Sequence, residues 1–279
     1  MVKDYRIPGF VEKHLQKMLI IAAIFHLVIT LFVPFAKNYP TFRVIAAVGL
    51  TIFVIFHGTY RYRWESMIVF ITLAFIISWG METLSIKTGV PFGNYYYTNL
   101  LGAKAGVVPW GIMLAYFFTG YISWTMSTIF FREYGTGISK KRIIFIPLLA
   151  SLIMIIWNIS FEPVMSTIEG NWVWVNGGRF FGVPLTNFLG WYITSYLIFQ
   201  IFALFNYKTK GNELFTPKKL YWLLVPIVFT VQGLEYLINP FVKTENLEIY
   251  WFSFATTLFL LVGVSLLCVL FVAQHKTPE

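Results

Sequence analysis

Cysteine, histidine and charge are scarce in this 279-residue chain, which has one Cys, four His and only 12% charged residues, against about 25% charged residues in a typical soluble domain. The shortage of charge excludes an ordinary soluble enzyme. The lone Cys268 excludes a disulfide within the chain and a zinc site built from cysteine clusters. His26 and His57 lie in or beside apolar runs without a His-x-x-x-His spacing or an acidic cluster, so no metal is expected. No pair of aspartates stands on a helix to hold Mg²⁺ and a diphosphate, which leaves a prenyl transferase without support. A phosphate loop and a nucleophile-elbow serine are absent as well.

What the chain has in abundance is apolar and aromatic surface: 58% hydrophobic, 20% aromatic, with a mean hydropathy of +0.71. Apolar runs near the ~20 residues needed to cross ~30 Å of hydrocarbon recur along its length. They predict an all-α, polytopic helix bundle of about eight spans, at roughly 18–36, 42–58, 66–85, 107–130, 143–162, 185–206, 220–239 and 249–272. The second is short and starts at Arg43, whose stem can snorkel to the interface. The first lacks a small-residue cleavage site after it and reads as a retained helix. Short connections make residues 1–279 a single integral membrane domain.

The formal charge of +9 fits this topology. With the N-terminus inside, the inner segments hold 15 of the 21 Lys and Arg residues, among them Lys3, Arg6, Arg61, Arg63, Lys140, Lys141, Lys208, Lys210 and Lys276. The outer side holds the other 6: Lys37, Arg43, Lys87, Lys104, Arg179 and Lys243. The balance predicts a multi-pass protein of the cell membrane with both termini in the cytoplasm. Membrane lipids are then the partners of the basic excess, and no nucleic acid is expected. Nothing in the sequence fixes an oligomeric state.

A carboxylate deep in a span costs roughly 2.5–3.5 kcal/mol on insertion scales, so acids there call for a function. Glu82, Glu162 and Glu235 each lie near the C-terminal end of an inside-to-outside helix, at similar depth, and are expected to converge on one cavity. Ser78 and Glu82, Asn158 and Glu162, and Glu235 and Asn239 are i,i+4 pairs that share a helix face. Pro163 and Pro240 are expected to end their helices. The plainer alternative is that these acids are interfacial and hydrated, or paired with Lys104 or Arg179.

Two outer loops are aromatic and glycine-rich. One runs Gly89-Val90-Pro91-Phe92-Gly93-Asn94-Tyr95-Tyr96-Tyr97-Thr98-Asn99 and then Gly106 to Pro109; the other runs from Asn171 through Trp172 and Trp174 to Gly182-Val183-Pro184 and Asn187. Each follows a Glu-bearing helix and ends at a proline placed for the first turn of the next, which suggests a duplicated helix–loop–helix unit. Most of the 16 Tyr and 10 Trp read as an interfacial belt. The loop aromatics, beside glycines that permit tight re-entrant turns, would instead flank the carboxylates. Such walls could hold a polyene and steady a carbocation by cation–π attraction, or simply pack helices.

These loop blocks resemble those of the membrane carotenoid-biosynthesis family that contains the carotenoid 1,2-hydratases, including the bisanhydrobacterioruberin hydratases of archaea. The likeness rests on Gly89 to Thr98, Gly106 to Pro109, Trp157 to Met165, Trp172, Trp174 and Phe181 to Trp191, and spans about residues 78–192. It implies addition of water across the terminal trisubstituted double bond of an acyclic carotenoid or related isoprenoid, a hydro-lyase reaction without a cofactor. The family commonly has aspartates where this chain has Asn158 and Glu162, and a more acidic, His-containing version of the Asn94-Tyr95-Tyr96 stretch.

On this reading, Glu82 or Glu162 protonates carbon, and the other carboxylate, helped by Asn158 or Asn187, orients water, with Glu235 a third candidate. Tyr95, Tyr96, Tyr97, Trp157, Trp172, Trp174 and Trp191 are the candidates to line the substrate. Cyclisation starts from the same protonation and remains an alternative. So do a small transporter or proton pathway lined by the three glutamates and a lipid-binding scaffold.

Overall fold

The computed structural model describes residues 9–36, 39–208 and 217–275. Of the charge balance, Lys3, Arg6, Lys37, Lys210 and Lys276 lie outside them. The fold is a helix bundle capped at one end by short strands. Six helical stretches are long and apolar enough to cross a membrane, 13–35, 40–88, 145–168, 185–208, 219–242 and 247–274.

Helix α1 (Gly9–Phe32) packs along α2 (Tyr39–Thr88), a 50-residue helix broken at Arg63, where φ is 65° and ψ 164°. Unbroken, it would run about 75 Å at 1.5 Å per residue, far beyond a ~30 Å hydrocarbon layer. The expected spans 42–58 and 66–85 fall one on each side of the break. The basic residues around it do not share one fate. Arg63 is exposed, whereas Arg61 is buried and donates to the carbonyls of Glu133 (2.8 Å) and Gly135 (3.0 Å) and to Thr128 Oγ1 (3.0 Å). His57 is buried beside it, bonded to the Tyr121 hydroxyl (2.7 Å) and stacked on Tyr221. Protein carbonyls and hydroxyls replace water around both side chains.

Helix α3 (Trp110–Phe130) is not among the six apolar stretches. It carries Thr119, Ser123, Thr125, Ser127 and Thr128, and its residues are buried nearly all round against α2, α4 (Phe145–Pro163) and α6 (Lys219–Gln232). A helix enclosed by protein needs no lipid-facing surface, so polar residues cost little there when partnered. Ile24, Phe25, Phe259, Leu266 and Leu270 sit on the outside instead.

Of the two prolines, Pro163 ends its α-helix as expected and Pro240 does not. Pro163 closes α4, but the chain continues as a π-helical turn, Val164–Ile168, with the Ser166 hydroxyl donating to the Glu162 carbonyl (2.8 Å). Pro240 lies inside α7 (Leu234–Val242), and the interruption in this stretch falls at Gly233, between α6 and α7. Proline removes one donor, and neighbouring groups re-satisfy the freed carbonyl. Helix α5 (Leu185–Lys208) packs on α4; α8 (Leu247–Thr256), a second π-helical segment (Thr257–Val262) and α9 (Gly263–Gln274) complete the bundle.

The two aromatic loops meet at one end. Strand β1 (Tyr95–Tyr97) pairs antiparallel with β4 (Trp172–Trp174), in register Tyr95↔Trp174, Tyr96↔Val173 and Tyr97↔Trp172. A hairpin of β2 (Lys104–Ala105) and β3 (Val108–Pro109) leads into α3. The all-helical expectation therefore gains a small ribbon, which supplies partners to loop backbone that lipid could not.

Candidate functional site

The ribbon is tied down on both sides. Ser85 Oγ accepts from Phe92 N–H (3.0 Å) and donates to the Gly93 carbonyl (3.1 Å), while Thr186 Oγ1 donates to the Phe92 carbonyl (2.8 Å). Phe92 is buried against Gly190 of α5, where a Cβ would sit 2.3 Å from its ring. A larger residue there would push the loop off the helix. Thr98 closes the far side through the carbonyls of Gly170 and Asn171.

Strand alternation then sorts the aromatics. Tyr95 and Tyr97 are buried, and both hydroxyls donate to Glu82 Oε2, Tyr97 at 2.8 Å. Tyr96, between them, is 52% exposed on the opposite face of the ribbon. Across the ribbon, the indole N–H groups of Trp172 (2.7 Å) and Trp174 (3.2 Å) donate to Glu162 Oε1. Each glutamate is thus held by two aromatic residues of the loop that follows its own helix. Burial, and next the Glu82 carboxylate, push the Tyr95 and Tyr97 phenols well above their ordinary range.

Asn158 Nδ2 donates to Glu162 Oε2 (3.3 Å), and Asn187 Nδ2 donates to Asn158 Oδ1 (3.2 Å), so the two asparagines extend one buried chain from Glu162. The two carboxyl groups lie close enough to interact electrostatically. Tyr116, which no sequence signal distinguishes from other tyrosines in apolar runs, faces Glu82 without closing a hydrogen bond and stacks on Trp191 at 4.2 Å. Trp157 and Phe161 complete the wall, 6.0 and 6.2 Å from the Trp191 ring.

Among the described residues, neither Glu82 nor Glu162 forms a salt bridge; Lys104 reaches the Tyr97 carbonyl instead (2.9 Å). Glu235 does not join them, which corrects the expectation of three converging acids. It is ion-paired with Arg43, which also grips Glu169. Helices α6 and α7 deliver Glu235 to the α1–α2 side of the bundle, where Arg43 is spent on carboxylates rather than on the interface.

Residues 41–244 match the carotenoid biosynthesis protein family. The chain belongs to that family. No curated protein and no solved structure matches it. Membership is consistent with an enzyme of carotenoid biosynthesis in a membrane, and Glu82 and Glu162 both lie within the matched residues.

Proposed function

We propose that this protein is a hydratase of the cell membrane that adds water to a terminal trisubstituted double bond of an acyclic carotenoid or similar isoprenoid. One observation carries the reading: the β1–β4 ribbon gathers two carboxyl groups, neither of them salt-bridged among the described residues, inside a wall of Tyr and Trp rings. Protonating an isolated alkene needs a carboxylic acid, and the tertiary cation that results is favoured by aromatic faces.

Hydrogen-bond chemistry suggests how the two acids divide the work. Glu162 is faced by three groups that only donate, two indole N–H and one amide N–H, which suits an ionised carboxylate. Glu82 is faced by hydroxyls, which can accept as well as donate, so it can carry a proton without losing its partners. Glu82 then gives its proton to the less substituted alkene carbon, the cation forms at the tertiary carbon, and water adds there. Glu162 takes the proton that water loses, and its transfer back to Glu82 resets the site. Atoms balance as alkene plus water to tertiary alcohol, with no electron exchanged and no cofactor consumed.

Producing the chain in a host that makes acyclic carotenoids and comparing pigment masses with and without it tests the reading. Hydration adds the mass of one water per end group; cyclisation of the same cation leaves the mass unchanged and would replace this proposal with a cyclase. Unaltered pigments across acyclic substrates would reject both.

A further inference from the structure

Hydration inside a bilayer sets a supply problem: an isoprenoid can arrive from the lipid, but water and protons cannot. The loop end of the bundle holds a polar well that the chemistry above does not use. It has a volume of about 200 Å³, with Arg43, Glu169, Glu235, Asn239, Lys243 and Tyr250 in its lining beside the apolar Val33, Pro34 and Ile168, which is room for several waters at about 30 Å³ each. Asn239 is 3% exposed, lines the well, and its side-chain amide makes no hydrogen bond to protein among the described residues, leaving its polar atoms to whatever fills the space. A second cavity of about 260 Å³ shares Ile168, Lys243 and Tyr250 with the first and opens among the exposed residues Thr244, Glu245 and Asn246. The two cavities adjoin at these shared residues.

The well also shares a wall with the carboxylate site. The π-helical turn Val164–Ile168 begins two residues after Glu162 and ends at Ile168, which lines both cavities. Glu169 in the well accepts from Asn171 Nδ2 (3.0 Å), and the next residue, Trp172, donates to Glu162. Tyr236, 6% exposed, is buried in α7 beside Glu235, which lines the well.

We propose that the well between α2, α7 and the Val164–Ile168 turn is the water and proton entrance of the site, passing solvent along Tyr236 and the Glu169–Asn171 edge to Glu162. The Arg43 ion pairs hold this entrance open and polar. The inference rests on the hydratase reading for its purpose but can be tested without turnover.

The intact protein is labelled with ¹⁵N-tryptophan, and indole N–H exchange with D₂O is followed by NMR, with Trp172→Phe and Trp174→Phe assigning the two signals. Asn239→Cys is then treated with a membrane-impermeant thiol reagent; the only native thiol, Cys268, is buried and shielded. Plugging the well is expected to slow exchange at Trp172 and Trp174 at least tenfold and to leave the fully buried Trp124 signal unchanged. Tyr236→Phe, which needs no labelling, is expected to slow the same two signals. Unchanged exchange in both variants, or failure of the reagent to reach a folded Asn239→Cys protein, overturns the entrance. Conversion of an acyclic carotenoid is measured on the same samples. If plugging slows exchange while the unplugged protein adds no water to any acyclic carotenoid, the entrance stands and the hydratase reading falls.

Discussion

Glu82→Gln separates chemistry from architecture better than any other substitution in this site. Both loop phenols donate to one carboxylate oxygen, Oε2. A glutamine amide oxygen placed there keeps both bonds, and its NH₂ then has the Tyr116 hydroxyl beside it as an acceptor. The fold should lose no more than about one net hydrogen bond, 0.5–1.5 kcal/mol. The transferable proton is lost altogether. General acid catalysis is worth about 10²–10⁴-fold, which is roughly 2.7–5.4 kcal/mol of barrier at 1.36 kcal/mol per tenfold. The assay is the ratio of hydrated to unhydrated pigment by mass in a carotenoid-producing host, with thermal unfolding of purified protein as the control for folding. Glu82→Ala should behave differently, since it leaves two buried phenols without an acceptor at about 1–3 kcal/mol each. A Glu82→Gln protein that hydrates at the wild-type rate refutes the assignment of Glu82 as the acid, and the same result for Glu162→Gln removes the two-carboxylate reading entirely.

Other consequences follow from the same geometry. Asn158→Asp places a second carboxyl where an amide now donates to Glu162 at 3.3 Å; the pair must share a proton, so the pH profile of conversion should shift while the thermal midpoint falls by only a few degrees. Arg43→Gln leaves Glu169 and Glu235 buried without their cation and should cost about 3–5 kcal/mol, read as a lower unfolding midpoint that Glu235→Gln in the same chain partly restores. Gly190→Val drives a side chain into Phe92 and should destabilise by about 1–3 kcal/mol, with loss of tryptophan-region circular dichroism as the ribbon loosens. Tyr95 and Tyr97 have folded-state pKa values raised by burial and then by Glu82. Their contribution to stability is therefore full below about pH 10, the unfolded value for tyrosine, and is lost as pH rises toward the folded values. Tyr95→Phe should flatten that alkaline decline, measured as unfolding midpoint against pH.

Much of this protein was legible in single residues. The apolar runs gave the helical stretches because lipid exposure is a matter of local composition, and a run long enough to span announces itself whatever it packs against. Glu82 and Glu162 stood out for the same reason, as charges in the wrong solvent, and the i,i+4 spacing of Asn158 and Glu162 already placed them on one face. The loop aromatics were recognisable as a group, though not which of them turn inward: only the pairing of β1 with β4 sends Tyr95 and Tyr97 to Glu82 and Tyr96 away.

Tertiary structure decided what meets what. Glu235 has the same signature in sequence as Glu82 and Glu162, yet α6 and α7 carry it to Arg43, 192 residues away in the chain. Tyr116 left no mark in the sequence, and Arg61 and Asn239 stood out there only as charge and as spacing, because each owes its surroundings to groups from other helices. A residue's preference for lipid or water is written in its own side chain and near neighbours, whereas its partner across the bundle depends on how whole helices rotate and where their loops pair.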